Sequence, residues 1–185
     1  CSNSAGIIDL PQANLNCVRA GITMYGMYPS EEVQKDKVPL KPALGLKSFV
    51  TYVKEIGPGE EISYGGTYVT ERTMRIATVA VGYGDGYPRS LSNCGYVLIC
   101  GKRARILGRV CMDQLMVDVT DIMEADVDTP VTLIGKDGDE EITMEHLAEL
   151  CGGFHYEMVC DIGKRVPRVY YRGGKIVGTM DCFTE

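Results

Sequence analysis

The sequence predicts a mainly β fold, a β-barrel-like or sandwich-like domain preceded by a short α/β stretch. Three observations carry this. Past residue 40, short runs rich in Val, Ile, Thr, Tyr and Phe alternate with breaks rich in Gly, Pro and Asp. Several of those breaks have hairpin chemistry. A single segment in this region has a helical period.

The chain divides near residue 40. Residues 1–40 hold "CSNSAGIIDL" and "NCVRAGITMYGMYP", then the charged run "SEEVQKDK". Pro39 and Pro42 mark the passage into residues 41–185. Strands are expected at 44–56, 60–64, 74–81, 96–100, 104–110, 114–119, 131–134, 156–161 and 167–172. Turns are expected at "PGE" 58–60, "GKR" 101–103, "KDGD" 136–139 and "RGGK" 172–175. The helix is "TMEHLAELC", 143–151, with Thr143 as N-cap, Met144, Leu147 and Leu150 on one face, and Gly152 as the stop.

Hydrophobic residues make up 45% of the 185, enough for a packed core, which argues against disorder. The net charge of −6 argues against a nucleic-acid partner, which needs a basic face. No apolar run reaches membrane-spanning length, and no signal-peptide pattern opens the chain. The chain starts at Cys1 rather than Met and reads as part of a longer polypeptide. The eight cysteines form no C-x-x-C pair, and Cys100 and Cys160 fall in apolar strand-like runs, where they are expected to act as small hydrophobes. With two histidines, His146 and His155, no metal site is expected, and the compartment expected is the cytoplasm.

Several polar clusters exceed what a plain β domain needs. In "SNSAG", Ser4 precedes a small-residue turn, which suits a helix N-cap or a phosphate site. In "VRAGITMYG", Arg19 stands before Ala20 and Gly21, either as a surface arginine or as a cation open to a planar or anionic ligand. In "EEISYGGTY", Tyr64 adjoins Gly65 and Gly66. A strand end with a turn fits, and so does a phenol presented to a ligand. "VGYGDGYPRSLSN" lacks the G-x-G-x-x-G spacing and reads as an irregular loop offering Tyr83, Asp85, Tyr87 and Arg89. In "GRVCMDQLMVDVT", Leu115, Val117 and Val119 line one side of a strand, while Arg109, Met112, Asp113 and Gln114 crowd its mouth. That crowd is either a structural network or one wall of a site.

These motifs, with "GKRARILGRVCMDQLMVDVT" and "RVPRVYY", occur in an order and spacing that resemble the C-terminal part of the alanine racemase family. The resemblance covers nearly the whole chain. It implies that residues 1–40 are the last elements of a (β/α)8 barrel and 41–185 a β-domain, in a head-to-tail homodimer that uses pyridoxal 5'-phosphate. Ser4 then matches the serine that holds the cofactor phosphate, with backbone N–H groups near Gly21 and Ile22. Arg19 matches the arginine at the pyridine nitrogen. A guanidinium cannot accept that proton, so the ring stays a weaker electron sink and side reactions such as transamination are disfavoured.

Tyr64 matches one of two acid/base groups, reaching into the partner subunit's site; the other is the cofactor lysine, which the resemblance places upstream of these residues. Met112 and Asp113 match the substrate carboxylate site, and Tyr83 and Arg89 the access passage. Lys164 stands where several relatives carry a tyrosine, which bears on substrate size. The implied reaction is interconversion of L- and D-alanine for peptidoglycan, with these 185 residues inactive alone. Serine is the alternative substrate, as in vancomycin-resistance-type racemases with a membrane-embedded N-terminal domain. A non-catalytic module for dimerisation or binding is the other alternative.

Overall fold

The computed structural model describes residues 1–183. The chain forms two compact units, the first ending at Leu46 and the second starting at Lys47.

In the first unit, Asn3 caps a short helix α1 (Ser4–Asp9), its side chain accepting from the Gly6 N–H at 3.0 Å. Asn3 thus takes the capping position, and Ser4 is the first helical residue. A single parallel bridge joins Ser2 to Val18, and the Arg19 N–H donates to the Ser2 carbonyl at 2.7 Å. A 3-10 turn, Ile22–Tyr25, follows and stops at Gly26, which takes the left-handed conformation at φ 76°. A side chain there would collide with the Lys41 carbonyl.

The second unit is mainly β. Its main sheet contains β1 (Leu46–Ile56), β4 (Met74–Val79), β5 (Tyr96–Ile99), β6 (Lys102–Leu107), β7 (Leu115–Asp118), β8 (Pro130–Asp137) and β9 (Glu140–Ile142). The order is β1-β4-β7-β6-β5-β8-β9, and β1 also pairs with β8, which closes a ring. Val50, Val79, Val97, Ile99, Ile106, Leu115, Val117, Val131 and Leu133 are buried inside it. Burying such a side chain contributes roughly 1.5–3 kcal/mol, so the ring rather than local propensity holds these short strands. The expected alternation of β7 is present, with Leu115, Val117 and Val119 buried. A two-stranded pair, β2 (Glu61–Ile62) and β3 (Tyr68–Val69), lies apart from the ring's ladder, as does the hairpin of β10 (Arg168–Arg172) and β11 (Lys175–Met180).

The turn chemistry explains most boundaries. Cys100 and Gly101 take φ of 52° and 73° between the paired residues Ile99 and Lys102. Gly173 and Gly174 do the same between Arg172 and Lys175. Helix α2 (Met144–Cys151) has the expected caps: Thr143 Oγ1 accepts from the His146 N–H at 3.1 Å, and Gly152 is left-handed.

Four expectations fail. The strand expected over 104–110 runs Lys102–Leu107, starting inside the expected turn 101–103 and stopping before Gly108, whose φ is 72°. Residues 156–161 are not a strand: they belong to helix α3 (His155–Asp161). Six residues with Tyr156, Met158, Val159 and Cys160 as their apolar members fit both periods, and here the Phe154 and Tyr156 rings stack at 4.6 Å at the start of the helix. The strand expected over 60–64 ends at Ile62, because Ser63 has φ 66° and breaks the pleat. Cys100 and Cys160 are exposed, at a turn and on α3, so they are not core hydrophobes; among the eight cysteines Cys111 alone is buried. Among the described residues, no helix is long and apolar enough to cross a membrane.

Candidate active site

In the first unit, the fold brings together Ser4, Gly21 and Thr23. Ser4 is 5% exposed, a buried hydroxyl at the start of α1. Its Oγ accepts from the Gly21 N–H at 3.1 Å and lies 3.2 Å from Thr23 Oγ1. Two hydroxyls and a backbone N–H are thus gathered in one place, the N–H bonded to Ser4 Oγ and the hydroxyls to each other, groups that suit phosphate oxygens once they turn outward. Ile22 is buried and opens the 3-10 turn just after Gly21. Arg19 is exposed, and among the described residues its guanidinium makes no hydrogen bond or ion pair, so it is open to a ligand. The partner Thr23 is not expected from the sequence; its place two residues after Gly21 is the one signal.

In the second unit, Tyr64 begins a 3-10 turn, Tyr64–Gly66. Its ring is 72% exposed, so packing does not explain it. The preceding Ser63 is in an unusual conformation for a non-glycine residue, held by two contacts. Ser63 Oγ donates to the Arg109 carbonyl at 2.7 Å and lies 3.4 Å from Cys111 Sγ. Gly65 faces the Arg109 guanidinium, and Gly108 lies so close to the Ile62 carbonyl that a Cβ would collide with it. The Tyr64 turn is thus moored to residues 108–111. A cleft of about 240 Å³ lies beside it, with Ile62, Ile76 and Met116 as apolar lining and Lys54 and Glu61 among its polar residues.

The loop with Tyr83 is moored to the same segment from another direction. The Tyr83 N–H donates to the Cys111 carbonyl at 3.0 Å, and the Gly84 N–H to the Met112 carbonyl at 2.8 Å. Gly82 is needed for this approach, since a Cβ there would collide with both carbonyls. Met112 is 53% exposed, and its N–H has no hydrogen-bond partner among the described residues. Tyr83 and Arg89 are exposed on 3-10 turns of the loop. Tyr87 is not on offer: it is buried, its hydroxyl has no partner among the described residues, and burial pushes its phenol up.

Arg165 joins these segments and was not singled out from the sequence, although it opens "RVPR". Its Nε donates to Asp85 Oδ1 at 2.7 Å and its Nη2 to Asp113 Oδ1 at 2.6 Å. These bonds, Asp85 first and Asp113 second, push the guanidinium further up from its ordinary value. Asp85 also accepts from the Gly82 N–H through Oδ2 at 2.9 Å. Lys164 is exposed beside it. Tyr64, Arg109, Met112, Asp113, Tyr83 and Lys164 thus share one connected patch, while Ser4, Arg19, Gly21 and Ile22 belong to the first unit.

Comparison with known proteins gives one answer. The family described as "Alanine racemase, C-terminal domain" matches residues 43–170. The alanine racemase of Desulforamulus reducens is 51% identical over 170 residues, covering 92% of this chain and 45% of that protein. That of Methanococcus maripaludis is 49% identical over 169 residues, covering 91% and 45%. Among solved structures, the alanine racemase of Bacillus anthracis with bound L-Ala-P superposes with a TM-score of 0.91 at 42% identity, covering 97% of this chain and 46% of that one. The chain spans less than half the length of these relatives. It belongs to the alanine racemase family, of which it carries the C-terminal domain.

Proposed function

We propose that these residues are the C-terminal part of a pyridoxal-phosphate-dependent racemase that interconverts L- and D-alanine, with Tyr64 as one of two acid/base groups. The observation that carries the reading is Tyr64 itself: a large ring held out on a moored, glycine-flanked turn, which folding alone does not require. The family shared with the alanine racemases supplies the substrate class.

The residues fit the cofactor. Ser4 Oγ, Thr23 Oγ1 and the Ile22 N–H would hold its phosphate, joined by the Gly21 N–H once it is released from Ser4 Oγ, and the open Arg19 guanidinium would donate to its ring nitrogen. When bound, the cofactor supplies the electron sink that acidifies the substrate Cα–H. Racemisation removes that proton from one face and returns one on the other, so one group cannot easily serve both faces. Tyr64 Oη takes or gives the proton on one face. The Met112 N–H orients the substrate carboxylate, with Asp113 beside it. Tyr83 and Arg89 border the access passage, and Lys164 bears on side-chain size. The 1–40 stretch represents the end of the barrel that carries the lysine, and two subunits share each site. D-alanine for peptidoglycan is the product in this reading.

The test uses the whole polypeptide in which these residues occur, loaded with pyridoxal phosphate, and follows L- and D-alanine and L-serine by chiral chromatography. Tyr64→Phe should slow alanine conversion, with kcat/KM falling by the same factor in both directions as an equilibrium constant of one requires, and should raise the α-deuterium isotope effect for one enantiomer and not the other. No loss of rate, or isotope effects that change alike for both enantiomers, sinks the acid/base assignment. Preference for serine moves the substrate and points to Lys164. The 185 residues alone should convert neither.

A further inference from the structure

We propose that Arg165 is a positioning residue for substrate carboxylate recognition: it spans Asp85 and Asp113 so that an anion can approach the Met112 N–H. The inference rests on the carboxylate site assigned above.

Three segments distant in sequence meet at Arg165. Residues 82–86 supply Asp85, residues 111–113 supply Met112 and Asp113, and residues 161–166 supply the arginine. The backbone repeats the convergence, since the Gly163 N–H donates to the Asp85 carbonyl at 3.0 Å and the Gly84 N–H to the Met112 carbonyl at 2.8 Å. The place of a Cβ on Gly84 lies 3.0 Å from both the Arg165 Nη2 and the Met112 carbonyl. The guanidinium therefore lies against the turn that carries the unpaired N–H.

Charge decides what this arrangement does. Asp85 and Asp113 alone would place two negative charges beside a group that must receive a carboxylate. Arg165 neutralises one equivalent and fixes both side chains through two arms of one rigid fork. The Asp113 side chain is 64% exposed and that of Arg165 37%. The Asp113 pair, so open to water, adds little to stability, while Asp85, 16% exposed, anchors the other arm of the guanidinium. For the Asp113 pair, orientation and local field are what remain to be supplied. An interaction of this kind is screened by salt within about 10 Å at 0.1 M, which gives it a signature that loosened packing lacks.

The experiment compares the loaded whole polypeptide with Arg165→Gln, Arg165→Lys and Arg165→Gln/Asp113→Asn. At low salt, Arg165→Gln should raise KM for alanine about tenfold and change kcat less than about threefold. Added sodium chloride should shrink the KM defect, and Asp113→Asn should partly relieve it. Arg165→Lys, which keeps the charge without the fork, should fall between. An unchanged KM overturns the proposal, as does a KM rise that is indifferent to both salt and Asp113→Asn.

A second readout does not use turnover. Acetate is titrated into protein labelled with 15N-methionine, and the Met112 amide shift is followed. Acetate should move it in the wild type and at higher concentration in Arg165→Gln. An Arg165-independent shift overturns the inference even if racemisation is confirmed. An Arg165-dependent shift without racemisation keeps the anion site and discards the reaction.

Discussion

Gly65 presents its missing side chain to Arg109: a Cβ built there would lie 3.5 Å from the guanidinium carbon. The two residues are far apart in sequence, yet they pack at the base of the Tyr64 turn. Gly65 also has φ 72°, a left-handed conformation that costs other residues about 1–2 kcal/mol. Gly65→Ala is expected to cost about that much in urea denaturation and, if Tyr64 acts as proposed, to slow racemisation by the whole polypeptide by shifting Tyr64. Gly82 differs in kind. Its backbone is extended, but its missing Cβ faces two carbonyls that cannot move aside. Gly82→Ala should therefore destabilise the fold by about 1–3 kcal/mol through overpacking, and should raise KM because the Met112 turn is displaced. A harmless Gly82→Ala would show that the loop is not clamped as described.

Tyr87 gives a pH-dependent prediction. Burial is the largest cause of its raised phenol pKa, with Cys151 and Cys94 next. The folded chain keeps the phenol neutral where the unfolded chain ionises it, near pH 10. The folded state then binds more protons than the unfolded one, so this contribution is complete below about pH 10 and is lost as pH rises above it. Tyr87→Phe should flatten the alkaline decline in melting temperature. It also removes a buried hydroxyl without a partner among the described residues, so it should stabilise the protein at neutral pH by about 1–3 kcal/mol. A strong loss of stability at neutral pH would contradict this.

Thr70 ties the loop that leads to Tyr64. Its Oγ1 donates to the Gly57 carbonyl at 2.7 Å and accepts from the Glu60 N–H at 2.9 Å, with the side chain buried. Thr70→Val keeps the shape and deletes both bonds. A cost of about 1–3 kcal/mol is expected, with faster hydrogen exchange at the Glu60 amide. Unchanged exchange would mean that the turn holds without Thr70.

Thr143 is the simplest case. Its hydroxyl caps α2 by accepting from the His146 N–H. Thr143→Ala should cost about 1 kcal/mol, read by chemical denaturation, with little effect on turnover because α2 contributes none of the residues assigned to the reaction.

The sequence made the β class, the caps of α2 and the glycine turns legible because each rests on local chemistry. Thr143 and Gly152 announce a helix by their own backbone preferences. The motif around Tyr64 was legible through family resemblance; the mooring of its turn was not, because Ser63 and Arg109 meet only through tertiary folding. Arg165 was missed for the same reason. Nothing in "KRVPR" says that its partners are Asp85 and Asp113, more than fifty residues back. Tyr87 looked like a ligand contact because its loop is rich in glycine, yet it is buried. The α3 error came from six residues that satisfy both periods.

The pairing of β1 with β8 has a consequence for how the chain is made rather than how it works. Where β1 and β8 meet, each covers the outer edge of the other, an edge that could otherwise recruit a strand from another molecule. That protection arrives only with the last seam, since its two strands are separated by most of the domain. Contacts so distant in sequence form slowly. Until they form, two strand edges are open together, and dilute refolding should recover more material than concentrated refolding.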